Sequence, residues 1–186
     1  MGLNNVSLRE QNIVLIGFMG AGKTTIGKAV ARKLYRDFID IDEEIEKQFN
    51  MPTPQIFQVF GEKTFREKEK EIIQDFCKNQ RLKIISLGGG AFLQEEIKET
   101  CLANSIVFYL SLSWESWKER ISMIIDNRPV LQGKNYEEMK ELFEKRQPIY
   151  EEHHSKVATD KQNVEEIADY IVSSLKTAWD IYEPNR

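Results

Sequence analysis

Three glycines and a lysine stand close together in GFMGAGKTT, residues 17–25, directly behind the apolar run NIVLI. Glycine weakens regular structure and lysine resists burial, so this concentration needs a physical reason. Gly17, Gly22, Lys23 and Thr24 fit the spacing GxxxxGK[ST], and Ile26, Val30 and Leu34 then recur every four positions, as on one face of a helix. A buried strand, a glycine loop and an amphipathic helix in that order describe a phosphate-binding loop. The glycines let backbone N–H groups turn inward onto a polyphosphate, and the helix N-terminus adds its dipole. Lys23 reaches the outer phosphates and Thr24 can hold Mg²⁺. Gly20, Ala21, Gly22, Lys23, Thr24 and Thr25 are therefore candidate nucleotide-binding residues. The alternative is a structural glycine turn.

Further short apolar runs at 38–39, 84–87 and 106–110, with a weaker one at 156–158, alternate with segments of helical periodicity. This alternation predicts an α/β fold: a parallel sheet of five strands with helices on both faces. A chain of 186 residues with 41% hydrophobic residues suits a single domain, 1–186, with its core at about 12–175. The net charge of -4 argues against a protein that coats nucleic acid, so any anion site must be local. No apolar stretch at the N-terminus suggests secretion or membrane insertion, and a cytoplasmic protein is expected. Cys77 and Cys101 lie outside any CxxC pair and read as core residues, with neither a disulfide nor a thiolate metal site. The final IYEPNR reads as a frayed end.

The acceptor side of the chemistry must come from the rest of the chain, because phosphate-binding loops serve switches, motors and small-molecule kinases alike. The chain is short for a motor and lacks an NKxD-type guanine-reading motif, which leaves a small kinase. In FIDIDEEIE, residues 38–46, Asp40 at the end of a strand can face the Mg²⁺ held by Thr24. Asp42 can accept a proton from a substrate hydroxyl, or serve only as a helix N-cap. In FGEKTFREKE, residues 60–69, Glu62 and Glu69 each lie one turn from Arg66, an arrangement that holds a guanidinium for a substrate carboxylate or makes ordinary surface ion pairs. Gly88, Gly89 and Gly90 in SLGGGAF can offer bare backbone to a ligand, or form a plain turn. The aperiodic stretch at 126–136 reads as a lid between two helices, with Arg128 stiffened by Pro129. Arg120 and Arg146 are further candidates that, taken alone, also fit solvated surface positions.

In this order, GFMGAGKT, FIDIDEEIE, FGEKTFREKE, LGGG, RPVL and KRQPIY resemble the shikimate kinase family from about residue 12 to 175. The resemblance implies transfer of the ATP γ-phosphoryl group to the 3-hydroxyl of shikimate, with Mg²⁺, by a monomeric cytosolic enzyme. It also implies a five-stranded parallel sheet, an acceptor-binding region at about 42–78 and a lid. By the same resemblance Asp42, Arg66, Gly89 and Arg146 form the shikimate-binding set. Lys23 and Arg128 neutralise phosphate, Thr24 and Asp40 hold Mg²⁺, and Arg120 lies beside adenine. Between the second and third blocks the chain reads NMPTPQIF where the family more often has a glycine and an isoleucine, so Pro52 and Pro54 are expected to reshape the entry to the substrate helix. His153 and His154 match no family ligand and read as helix-end residues. Two other readings stay open: a kinase for another hydroxy acid such as gluconate, and a silent nucleotide-binding module.

Overall fold

A computed structural model describes residues 6–124 and 131–184. Five strands, β1 (Asn12–Ile16), β2 (Asp37–Asp40), β3 (Lys83–Ser86), β4 (Ser105–Ser111) and β5 (Ser155–Ala158), form one parallel sheet in the order β2-β3-β1-β4-β5. Central β1 is buried along its whole length, as a strand flanked by two neighbours and covered on both faces must be. It pairs Val14 with Ile85 of β3 and Val107 of β4. At the edge, β5 buries only Val157, and its neighbour Lys156 is exposed. This explains the weak apolar signal at 156–158.

Among the described residues seven α-helices join and follow these strands: α1 (Lys23–Leu34), α2 (Ile41–Phe49), α3 (Thr53–Asn79), α4 (Glu95–Asn104), α5 (Trp114–Ile124), α6 (Tyr136–Arg146) and α7 (Val164–Tyr182). Packing of α1 on α7 and of α3 on α4 covers the sheet from its two sides, which is what right-handed crossovers in this strand order require. Within α3 the backbone breaks at Gly61, whose φ of 82° and ψ of 164° no helix contains. Among the described residues no helix is long and apolar enough to cross a membrane.

Three features depart from the local reading. The segment expected to fray is fastened as far as Glu183: α7 runs to Tyr182, and the Glu183 carboxylate accepts hydrogen bonds from the Ser7 hydroxyl and, at 3.0 Å, from the Leu8 N–H. His154 is not a helix-end residue, since its Nδ1 accepts from the Val107 N–H at 2.9 Å and so begins the pairing of β4 with the strand that follows. Buried Asn12 ties three elements together. Its Nδ2 donates to the carbonyls of Phe76 and Gln80 at 2.9 and 3.0 Å, and its Oδ1 accepts from the Lys83 N–H at 2.9 Å. Cys77 and Cys101 are free and buried, with sulfurs 3.9 Å apart.

Replacing Asn12 by Ala leaves those three backbone groups without their side-chain partner, and a loss of about 2–4 kcal/mol is expected in urea unfolding. A loss within about 0.5 kcal/mol would mean that Asn12 contributes little to joining the three elements.

Candidate active site

The carboxyl ends of the strands converge on one cleft, the place where open parallel sheets bind ligands. From β1 the chain enters the glycine loop and reaches Gly22, which begins α1 at φ 96°, a left-handed conformation open to glycine without strain. Lys23 is buried, and its Nζ donates to the carbonyls of Gly17 at 2.7 Å and Phe18 at 3.0 Å, so the ammonium is held inside the loop. The loop is anchored from behind. Phe18 packs edge-on against Trp117 and Phe143, with ring centroids 5.4 and 5.1 Å away. The Trp117 indole N–H donates to the Met19 carbonyl at 2.8 Å. One turn later in α5, Arg120 reaches the Gly20 carbonyl at 3.3 Å. The cleft above the loop has a volume of about 380 Å³, and Thr159, Gln162 and Val164 also line it.

Asp40 ends β2 and caps α2. Its Oδ1 accepts from the backbone N–H groups of Asp42 at 3.0 Å and Glu43 at 3.4 Å, while Oδ2 accepts from the Thr24 hydroxyl at 2.8 Å. The capping role considered for Asp42 therefore falls to Asp40. Asp42 lies in the first turn of α2 with its carboxylate against Gly88, where an added Cβ would stand 3.0 Å from Oδ1. The described residues hold no group of three or more His, Cys, Asp or Glu able to bind a metal. One hydroxyl beside one carboxylate suits Mg²⁺ carried by nucleotide phosphates, which retains most of its ligands from phosphate and water.

A second hollow adjoins the first and shares Met19, Asp42, Gly88 and Gly89 with it. Arg66, Glu69, Gly90 and Arg146 line its walls together with Thr53 and Phe57. The two carboxylates expected to hold Arg66 are unequal. Glu69 is fully buried and its Oε2 accepts from Arg66 Nη1 at 2.7 Å, whereas exposed Glu62 stands 3.5 Å from Arg66 Nε. Gln94 donates to the same Glu69 oxygen at 3.1 Å, and Glu69 Oε1 has no hydrogen-bond partner among the described residues. Burial pushes the Glu69 carboxyl up to about 7; the Arg66 guanidinium and Gln94 pull it down, and the charge of Asp42 adds to the rise. Arg146, at the end of α6, is buried and donates to the Gly89 carbonyl at 2.9 Å. At the unusual entry to α3, Pro54 occupies the first turn, where proline is tolerated, and the Glu46 carboxylate accepts from both the Thr53 N–H and hydroxyl, at 2.7 and 2.8 Å.

The structure thus brings together Gly20 to Thr25, Asp40, Asp42, Gly88, Gly89 and Arg120 on the larger cleft and Arg66, Gly90 and Arg146 on the smaller. Arg128 and the first part of the expected lid, residues 126–130, lie outside the described residues; from Leu131, which is buried, the chain turns into α6, whose N-terminus carries a capping box of Asn135 and Glu138. Sequence reasoning missed Trp117, Gln94, Thr53, Thr159 and Gln162. Thr159 follows directly on β5, and the rule that ligands gather at strand carboxyl ends was the one signal able to find it.

A parallel sheet in this order, with a glycine loop clasping a buried lysine and a strand-end aspartate bonded to the loop threonine, defines a phosphate-binding-loop nucleotide-binding protein. The family description that matches residues 19–176 is shikimate kinase. The shikimate kinase of Oceanobacillus iheyensis is 69% identical over 177 residues, covering 95% of this chain and 96% of that one. That of Bacillus subtilis is 59% identical over 179 residues, covering 96% of each. The structure of the shikimate kinase from Acinetobacter baumannii in complex with shikimate superposes with a TM-score of 0.84 at 34% identity, over 90% of this chain and 94% of that one. A gluconokinase from Sinorhizobium meliloti, at 16% identity and a TM-score of 0.52, shares the fold alone. The chain belongs to the shikimate kinase family.

The raised carboxyl of Glu69 has a measurable consequence. Between its ordinary value of 4.5 and about 7 the folded protein keeps a proton that the unfolded chain has released. The stability this contributes is full at low pH and is lost as pH rises through about 7, on the order of 2–3 kcal/mol. Glu69→Gln removes the effect, so urea unfolding should show the variant gaining on the parent by about 2 kcal/mol between pH 5 and pH 8. A difference independent of pH would contradict the assignment.

Proposed function

We propose that this chain phosphorylates shikimate, transferring the γ-phosphoryl group of ATP to the 3-hydroxyl to give shikimate 3-phosphate and ADP. The observation that supports this best is that Asp42 lines both hollows, so one carboxylate is within reach of an acceptor on one side and a nucleotide on the other. Family membership gives the acceptor its identity, and the shikimate bound to the Acinetobacter relative supports it.

Phosphoryl transfer through a loose transition state needs alignment and charge neutralisation more than covalent chemistry. In this reading Arg66 and Arg146 grip the acceptor carboxylate, and the Arg66 fork is held by Glu69. Gly88, Gly89 and Gly90 let the acceptor ring approach bare backbone. Asp42 orients the hydroxyl and takes its proton late in the transfer. Lys23 and Arg128 neutralise the phosphate oxygens, with Arg128 carried on a lid at about 126–136 that excludes water. Arg120 lies beside adenine. Thr24 and Asp40 would hold Mg²⁺, which supplies further positive charge at the phosphates when bound. On this proposal residues 1–186 form a single domain with its acceptor region at about 42–78, and the protein works as a cytoplasmic monomer.

ADP release measured with shikimate, with gluconate and with no acceptor tests this. Release with shikimate alone is expected; release with gluconate instead, or none above background, would contradict the proposal. Asp42→Asn should lower turnover by about 10²–10⁴-fold while ATP affinity is retained, and near-normal turnover would remove Asp42 from its role. Chelating divalent cations should abolish turnover and added Mg²⁺ should restore it.

A further inference from the structure

The Gly89 carbonyl accepts two hydrogen bonds, one from Arg146 Nη1 at 2.9 Å and one from the Tyr150 hydroxyl. Both donors are buried, Tyr150 at 1% exposure and Arg146 at 8%. A carbonyl oxygen has two lone pairs, so the two donors together fix the plane of the Gly89 peptide. On its other side that peptide lies against the nucleotide loop, where a Cβ on Gly89 would stand 3.1 Å from the Met19 nitrogen and 3.7 Å from the Gly17 oxygen. Gly89 is thus held at its carbonyl by two buried donors and faced by the nucleotide loop, with no room for a side chain.

The same contact orients Arg146. A guanidinium carries five N–H donors in a rigid fork, and committing one of them to a fixed carbonyl sets the direction of the others. Burial pushes the Tyr150 hydroxyl up to about 12 against the pull of the Arg146 charge, so the phenol stays protonated and remains a donor at neutral pH. Its ring packs 5.4 Å from that of Tyr109, whose own hydroxyl donates to Gln147 at 2.6 Å rather than to Gly89. Both tyrosines thus support the turn that follows α6, but only one touches the glycine run.

We propose that Tyr150 is a positioning residue for the acceptor: its hydroxyl fixes the Gly89 carbonyl, and through it the Arg146 fork, in the orientation that grips the acceptor carboxylate. This rests on the reading of the chain as a shikimate kinase. It assigns the ring of Tyr150 to packing and the hydroxyl to acceptor affinity. Without the hydroxyl the Gly89 carbonyl still has Arg146, so no buried acceptor is orphaned, and the loss falls on the precision of the fork rather than on folding.

Tyr150→Phe keeps the ring and removes only the oxygen. Its KM for shikimate should rise about tenfold, while kcat and the KM for ATP stay within about twofold of the parent. The melting temperature should fall by less than about 4 °C. Because the effect acts through the carboxylate, the preference for shikimate over its methyl ester, as a ratio of kcat/KM, should also fall about tenfold. Tyr109→Phe, which removes the neighbouring hydroxyl, should leave that preference unchanged. A shikimate KM within about twofold of the parent in Tyr150→Phe, an equal loss on ATP, an unaltered preference, or the same loss in Tyr109→Phe would each overturn the inference. Failure of the parent protein to phosphorylate shikimate would instead remove the functional reading itself, and the inference with it.

Discussion

Everything in the candidate site depends on how closely other groups approach the backbone of the glycine run after β3. A Cβ on Gly88 would stand 3.0 Å from the Asp42 carboxylate and 3.1 Å from that of Glu69. One on Gly89 would press on the Met19 nitrogen, and one on Gly90 would lie 2.6 Å from Arg66 Nη2. These contacts come from different parts of the chain: the loop after β1, the start of α2 and the middle of α3. Bare backbone at three successive positions is what allows them to meet. A methyl group there would displace a carboxylate, the nucleotide loop or a guanidinium, and with it the alignment that phosphoryl transfer requires.

Around that run, charge is distributed by burial rather than by total count. The chain carries a net charge of -4, yet Lys23, Arg66, Arg120 and Arg146 line two adjoining hollows. Lys23, Arg120 and Arg146 donate to backbone carbonyls of the glycine loop or of Gly89, which helps fix their direction. Arg66 is held by a buried carboxylate. Desolvation weakens that carboxylate as a counter-charge, because burial favours its protonated form. The guanidinium is thus oriented by a partner that only partly neutralises it, a useful condition for receiving an anion.

Much of this was legible in the sequence, for a physical reason. The glycine loop, the two aspartates and the pair Arg66 and Glu69 are local patterns, readable from residue type and spacing over a turn of helix or the end of a strand. What stayed hidden depends on long-range partners. Trp117 reads as one member of an apolar stripe until its indole is seen on Met19, 98 positions away. Asn12 reads as the start of a strand until its amide is found on Phe76, 64 positions later. Tyr150 closes the block KRQPIY and His154 reads as a helix-end residue, but nothing local shows that their side chains bond Gly89 and Val107. The edge strand β5 was faint because one of its faces needs little burial. Glu183 read as part of a loose tail because its partners, Ser7 and Leu8, lie at the opposite end of the chain.

The central claim is that an acceptor carboxylate and a nucleotide phosphate face each other across Asp42. The most direct measurement is a crystal structure of the chain with shikimate and a non-hydrolysable ATP analogue. The account predicts the carboxylate between Arg66 and Arg146, a ring hydroxyl at Asp42, and the terminal phosphate at Lys23 on the far side of that hydroxyl. A carboxylate lying away from both arginines, or a ring whose hydroxyls turn from Asp42, would contradict it.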